Sequence, residues 1–206
     1  MLCGCAQETA QPEQNTPEPA ATKEPAPETS DPSVFIGKRT EHTYENEYFG
    51  IRADFENRWN VMPDDQFGLV ARHEADDDFY EVVDAGKTWH DLIALDTYTL
   101  NDIYVFLYHS ESEVPAEQLK EDYEKQVRED IIEGSFNPLS NLKTEVTDTQ
   151  FLSQNAICVK AAYQLSGTNT YQKNIYLTKD DLTLRIRVSS SEDDITDELL
   201  AEFTKY

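Results

Sequence analysis

The residues in this sequence best suited to chemistry are acidic. His73-Glu74-Ala75-Asp76-Asp77-Asp78, with Asp64 and Asp65 shortly before, offers hard oxygen ligands of the kind calcium takes. The run lacks the alternating acids, the turn glycine and the distal glutamate of a calcium loop, so Asp76, Asp77 and Asp78 read first as acids at the positive end of a helix and only weakly as cation ligands. His42, His73, His90 and His109 are spread along the chain, and a metal site would depend on tertiary proximity. His73-Glu74 has no second histidine four residues after the first, and neither a nucleophile elbow nor a phosphate-cradling loop occurs. No catalytic residue, metal or cofactor is assigned from the sequence.

Aromatic residues offer a second chemistry, stacking against a ligand or partner. Tyr104 and Tyr108 stand an even number of residues apart in Ile103 to His109 and would share one face of a strand. With Trp89 they form the candidate binding surface, against the simpler reading of Trp59 and Trp89 as anchors of a core. Cys158, within Ala156-Ile157-Cys158-Val159, reads as a small buried hydrophobe.

Elements that would position these residues follow from periodicity. His42 to Asp54 predicts two short strands with a bend at Phe49-Gly50; Pro63-Asp64-Asp65 and Asp76-Asp77-Asp78 each predict the start of a short helix, the second ending near Gly86. Asp91 to Asp96 and Ile103 to His109 predict a hairpin, the second strand apolar on both faces and therefore covered on both. Pro115 to Glu133 predicts a helix, with Leu119, Tyr123, Val127 and Ile131 at four-residue spacing and Gly134 as its stop. Strands over 142–151, 156–165, 171–178 and 182–188 then follow, joined by turns too short for anything but antiparallel neighbours. A last helix, opened by Ser191 with Asp194 three residues later, would bury Ile195, Leu199 and Phe203. The fold class is α+β, helices on an antiparallel sheet.

Ahead of these elements the composition changes. Residues 6–33 contain no Val, Leu, Ile or aromatic residue and hold six of the nine prolines. They cannot bury enough apolar surface to offset ordering, and read as a disordered tether spanning about 30 Å as a coil and up to about 85 Å as polyproline II. A single domain, 34–206, follows; about 170 residues suffice to bury about 70% of the unfolded surface without disulfides. The net charge of −24 is spread over the chain. It excludes nucleic acid as a natural partner and disfavours anionic lipid surfaces.

Residues 1–5, Met1-Leu2-Cys3-Gly4-Cys5, resemble the bacterial lipobox, with Leu three before a cysteine and a small residue just before it. The resemblance implies diacylglyceryl attachment at Cys5, an extracytoplasmic location and membrane attachment through that lipid alone. The basic and apolar stretches that precede a lipobox are not in the sequence, so either Met1 is an internal residue of a longer signal or the match is chance.

A wider resemblance rests on Tyr44-Glu45-Asn46-Glu47-Tyr48-Phe49-Gly50-Ile51, on Trp59, and on the closing LRIRVSSSEDDITDELLAEF. Over residues 38 to 206 this pattern is similar to Mog1/PsbP-like domains, many of them bacterial lipoproteins; Glu56 departs from it, standing where such sequences often place proline. The resemblance implies a three-layer α/β/α sandwich with a central antiparallel sheet, working as a binding or accessory protein with no catalytic residues to transfer. The expected function is thus an envelope lipoprotein that binds a protein or other envelope component. Two other classes are a hydrolase whose site is assembled from dispersed carboxylates and a histidine, and a purely structural spacer. A pocket joining a histidine to two carboxylates would favour the first, and a surface free of apolar patches the second.

Overall fold

The computed structural model describes residues 31–63, 66, 78–110 and 114–206. Asp31 to Tyr206 form one compact unit. The expectations for Cys5, for residues 6–30 of the tether, for the helix after Pro63, and for Asp76 and Asp77 lie outside the described residues; Asp31 to Ser33, expected as the end of the tether, belong to the compact unit, where Pro32–Val34 form a 3-10 turn capped by Asp31.

Two antiparallel sheets face each other across the core. The larger contains β4 (Trp59–Val61), β5 (Trp89–Asp96), β6 (Asp102–His109), β7 (Leu139–Phe151), β8 (Gln154–Leu165), β9 (Thr168–Lys179) and β10 (Leu182–Ser191), in the order β4-β5-β6-β10-β9-β8-β7. The smaller contains β1 (Lys38–Arg39), β2 (Thr43–Asn46), β3 (Ile51–Asp54) and β11 (Phe203–Lys205), in the order β1-β2-β3-β11. Period-two alternation explains the core. Ile103, Val105 and Leu107 of β6 and Leu184, Ile186 and Val188 of β10 point inward, where they meet Tyr44, Ile51 and Ala53 of the small sheet.

Three α-helices whose bounds are set lie among the described residues. α1 (Phe79–Asp84) is capped by Asp78, whose carboxylate accepts the Glu81 N–H at 3.0 Å, and it buries Phe79, Val82 and Val83 in the inter-sheet core. α2 (Ala116–Gly134) buries Tyr123, Val127 and Ile131 on the outer face of the large sheet, against Val159, Ala161 and Tyr176. α3 (Thr196–Leu200) closes the inner side with Leu199 and Leu200. Among the described residues, α2 covers one face of the large sheet and the small sheet with α1 and α3 covers the other; β2 and β3, joined through Gly50 (φ +66°), pair with each other, and β3 pairs on its far side with the C-terminal strand.

That strand corrects the expected last helix. Ser191 ends β10, Asp194 accepts from the Thr196 N–H and hydroxyl, and the helix stops at Leu200. Phe203 is buried, but on β11 opposite Ala53.

A bulge between His90 and Leu92 turns Asp91 into the seam between the sheets. Its fully buried carboxylate accepts from the Gly37 N–H with both oxygens at 3.0 Å, from the Tyr44 hydroxyl at 2.5 Å and from Asn46 Nδ2 at 3.3 Å. Its carbonyl accepts from Arg39 Nη1 at 2.5 Å. The chain thus enters the domain bonded to the first residues of β5.

Candidate functional site

The hairpin joining β5 to β6 presents apolar side chains on a braced loop. Asp96, itself buried, folds back to accept the N–H groups of Tyr98 at 2.8 Å and Thr99 at 3.2 Å, an Asx turn. The Thr97 N–H and hydroxyl both donate to the Arg58 carbonyl at 2.9 Å, tying the loop to the start of β4. Asn101 N–H donates to Thr99 Oγ1 at 3.2 Å, and its carbonyl accepts the Asp96 N–H at 3.0 Å. Fixed this way, Tyr98 and Leu100 stand 85% and 79% exposed. Large apolar groups held in water on an ordered loop lose little conformational entropy on binding.

Beneath the tip, the outer face of the sheet carries a ladder of aromatic rings and arginines. Register sets it: Arg187 lies opposite Tyr104 and Arg185 opposite Phe106 across β10 and β6. The Arg187 guanidinium sits 3.9 Å from the Tyr104 ring centroid and 5.6 Å from that of Phe106, and its Nη2 donates to Asp102 at 3.4 Å. Arg185 sits 5.3 Å from Phe106 and 5.6 Å from Tyr176, donating to Asp130 of α2 at 2.6 Å and to Asn174 at 2.9 Å. Such contacts each contribute about 0.5–2 kcal/mol, more where water is excluded. Arg187 Nε and Arg185 Nη2 are buried without a hydrogen-bond partner among the described residues. Burial raises the Asp102 carboxyl against the lowering pull of Arg187.

The sequence candidates divide accordingly. Tyr104 and Tyr108 share the outer face, but only Tyr104 borders the exposed tip; Tyr108 is packed beside α2, and burial drives its phenol well above the usual range. Trp89 is on the opposite face, buried against Phe79 at 5.4 Å, because the bulge at Asp91 leaves it in line with the inward residues. Asp78 is the α1 cap and lies in solvent. Tyr98, Leu100, Asp102 and Arg187 were not singled out from the sequence. The signal for Arg187 was the alternation in LRIRV, which puts both arginines on one face, and that for the tip was two large apolar residues in a turn.

Among the described residues, no three His, Cys, Asp or Glu side chains come together as a metal site would need. His42 and His109 are exposed and distant in register, while His90 packs edge-on to Phe106 at 5.0 Å. Cys158 is buried in the core, and burial pushes its thiol up, away from the reactive thiolate. No helix among the described residues is long and apolar enough to cross a membrane.

Solved structures similar to this chain include the following two. The solution structure of cyanobacterial PsbP (CyanoP) from Synechocystis sp. PCC 6803 is 13% identical, with 82% of this chain and 95% of that chain covered at a TM-score of 0.49. The crystal structure of LpqN, involved in cell envelope biogenesis of Mycobacterium tuberculosis, is 11% identical, with 75% and 82% covered at a TM-score of 0.44. The chain matches no family model and no curated protein sequence.

Proposed function

We propose that this protein is a binding module of the bacterial envelope, anchored outside the cytoplasm by a lipid on Cys5 and meeting a partner protein with the β5–β6 tip. The observation that carries the reading is the braced loop that keeps Tyr98 and Leu100 in water. The net charge of −24 favours a partner surface that is apolar where it receives Tyr98 and Leu100 and basic around them.

Truncating both side chains tests this without touching the core, since neither belongs to a buried cluster. In proximity labelling on intact host cells, the wild-type protein is expected to enrich a specific envelope neighbour. The Tyr98→Ala/Leu100→Ala variant, with unchanged melting temperature, is expected to bind that neighbour about tenfold to a hundredfold more weakly, as for a pair of interface hot spots. Equal enrichment by both proteins, or no specific neighbour for either, would sink the proposal.

A further inference from the structure

Three of the four sheet edges are short: β1, β4 and β11 run two or three residues each. The fourth is β7, thirteen residues long and, among the described residues, paired only with β8, so that its other side has no strand partner there. An edge of that length is a template for another strand. Lys143 and the bulge at Asn141 (φ +58°) are devices that usually blunt such an edge. Three features of β7 and its surroundings instead match a copy of themselves.

The first is the strand sequence around Thr144. In an antiparallel pairing with Thr144 on the two-fold axis, Lys143 faces Glu145 of the second copy and Leu142 faces Val146, each contact made twice and no like charges opposed. The charged pair lies on the face away from α2, and the apolar pair lies on the α2 side, where Leu142 and Val146 already pack. The bulge at Asn141 ends this ladder after a few residues.

The second is the helix above. Arg128 Nη1 donates to Thr144 Oγ1 at 3.0 Å, and that hydroxyl donates to Glu124. Both side chains therefore stand over Thr144, and a two-fold through that residue brings Glu124 of one copy toward Arg128 of the other.

The third is a projection and a groove at opposite ends of α2. Phe136, two residues past the end of α2, is 99% exposed. At Ala116 and Leu119 opens a groove of about 630 Å³, with Ile157 and Tyr176 in its lining and Gln150 among its polar residues. Antiparallel helices put Phe136 of each copy level with the groove of the other.

We propose that the protein forms a two-fold dimer through β7, with Lys143–Glu145 pairs at the seam and Phe136 seated in the groove beside Ala116 of the partner. The dimer is independent of the lipid anchor and leaves the β5–β6 tip free, four strands away across the large sheet.

Sedimentation of the full, non-acylated chain under reducing conditions tests it. A dimer is expected in the micromolar range. Lys143→Glu is expected to weaken it about tenfold, because two favourable seam pairs become two repulsive ones. Within its own copy Lys143 stands opposite Ala162, so the reversal leaves the monomer's charge pairing intact. Adding Glu145→Lys should recover most of the affinity even though it sets a lysine opposite Lys160 within the same copy, a rescue that no loss of folding can imitate. Phe136→Ser, at a side chain in solvent, should weaken the dimer with the melting temperature unchanged. A chain monomeric at every soluble concentration would overturn the proposal and leave β7 open to a strand from a different protein. A dimer indifferent to all three substitutions would overturn it equally.

Discussion

Replacing Asp91 by alanine is expected to destabilise the domain by about 4 kcal/mol, measured by urea denaturation, with each orphaned donor contributing about 1–3 kcal/mol. Three donors converge on its carboxylate, the half-buried Gly37 N–H and the buried Tyr44 hydroxyl and Asn46 Nδ2, and the two buried ones have no water to turn to when the acceptor is removed. The loss spreads further, since Asn46 also holds the Phe35 carbonyl and the Phe49 N–H. Against a total stability of roughly 5–15 kcal/mol, such a change leaves little margin. Gly37→Ala should act on the same cluster from the other side: a Cβ there would lie 2.3 Å from Tyr44 Cε2 and 2.8 Å from Asp91 Oδ2. Asp91→Ala and Gly37→Ala variants within 1 kcal/mol of wild type would show that the bulge does not hold the sheets together.

The second large effect is alkaline unfolding. Burial raises the phenols of Tyr44, Tyr108 and Tyr176 above their ordinary value, with the Asp91 charge adding to the rise at Tyr44. In the unfolded chain these groups ionise near pH 10, whereas in the folded chain they keep their protons. Above pH 10 the folded state therefore binds more protons than the unfolded state, and stability falls as pH rises. The stabilisation is complete below about pH 10 and is lost above it, at about 1.4 kcal/mol per pH unit for each phenol and about 4 kcal/mol for the three. Urea midpoints between pH 9 and pH 11.5 should stay level and then drop steeply. Replacing Tyr108 by phenylalanine should make the fall shallower by about 1.4 kcal/mol per pH unit; a flat profile through pH 11 would contradict the assignment of these rings to dry sites.

Local pattern carried much of this architecture. The α2 stripe of Leu119, Tyr123, Val127 and Ile131 reports a helix because only a 3.6-residue period puts those side chains on one face, and they do pack on one side of the sheet. The C-terminal stripe of Ile195, Leu199 and Phe203 has the same spacing and yet ends in a strand: Phe203 gains a ladder with Ala53 that a helix would forgo, and no local signal encodes that distant pairing. The division into two sheets is invisible for the same reason, since β3 finds its last neighbour some 150 residues away in β11.

The candidate site was legible in part. Spacing alone put Tyr104 and Tyr108 on one face, because strand alternation is local. Trp89 was misplaced by the bulge at Asp91, which shifts the register between β5 and β6 by one residue. Arg187 reaches Tyr104 only through the β6–β10 register, which the sequence does not state.

Where the chain is held decides which partners it can meet, and the most direct measurement is the mass of the N-terminal peptide of the native protein recovered from host membranes. The expected result is an N-terminus at Cys5 carrying a diacylglyceryl group, with the protein in the membrane fraction. An unmodified peptide beginning at Met1, recovered in the soluble fraction, would contradict the anchored module and remove the envelope as the place to look for the partner of Tyr98 and Leu100.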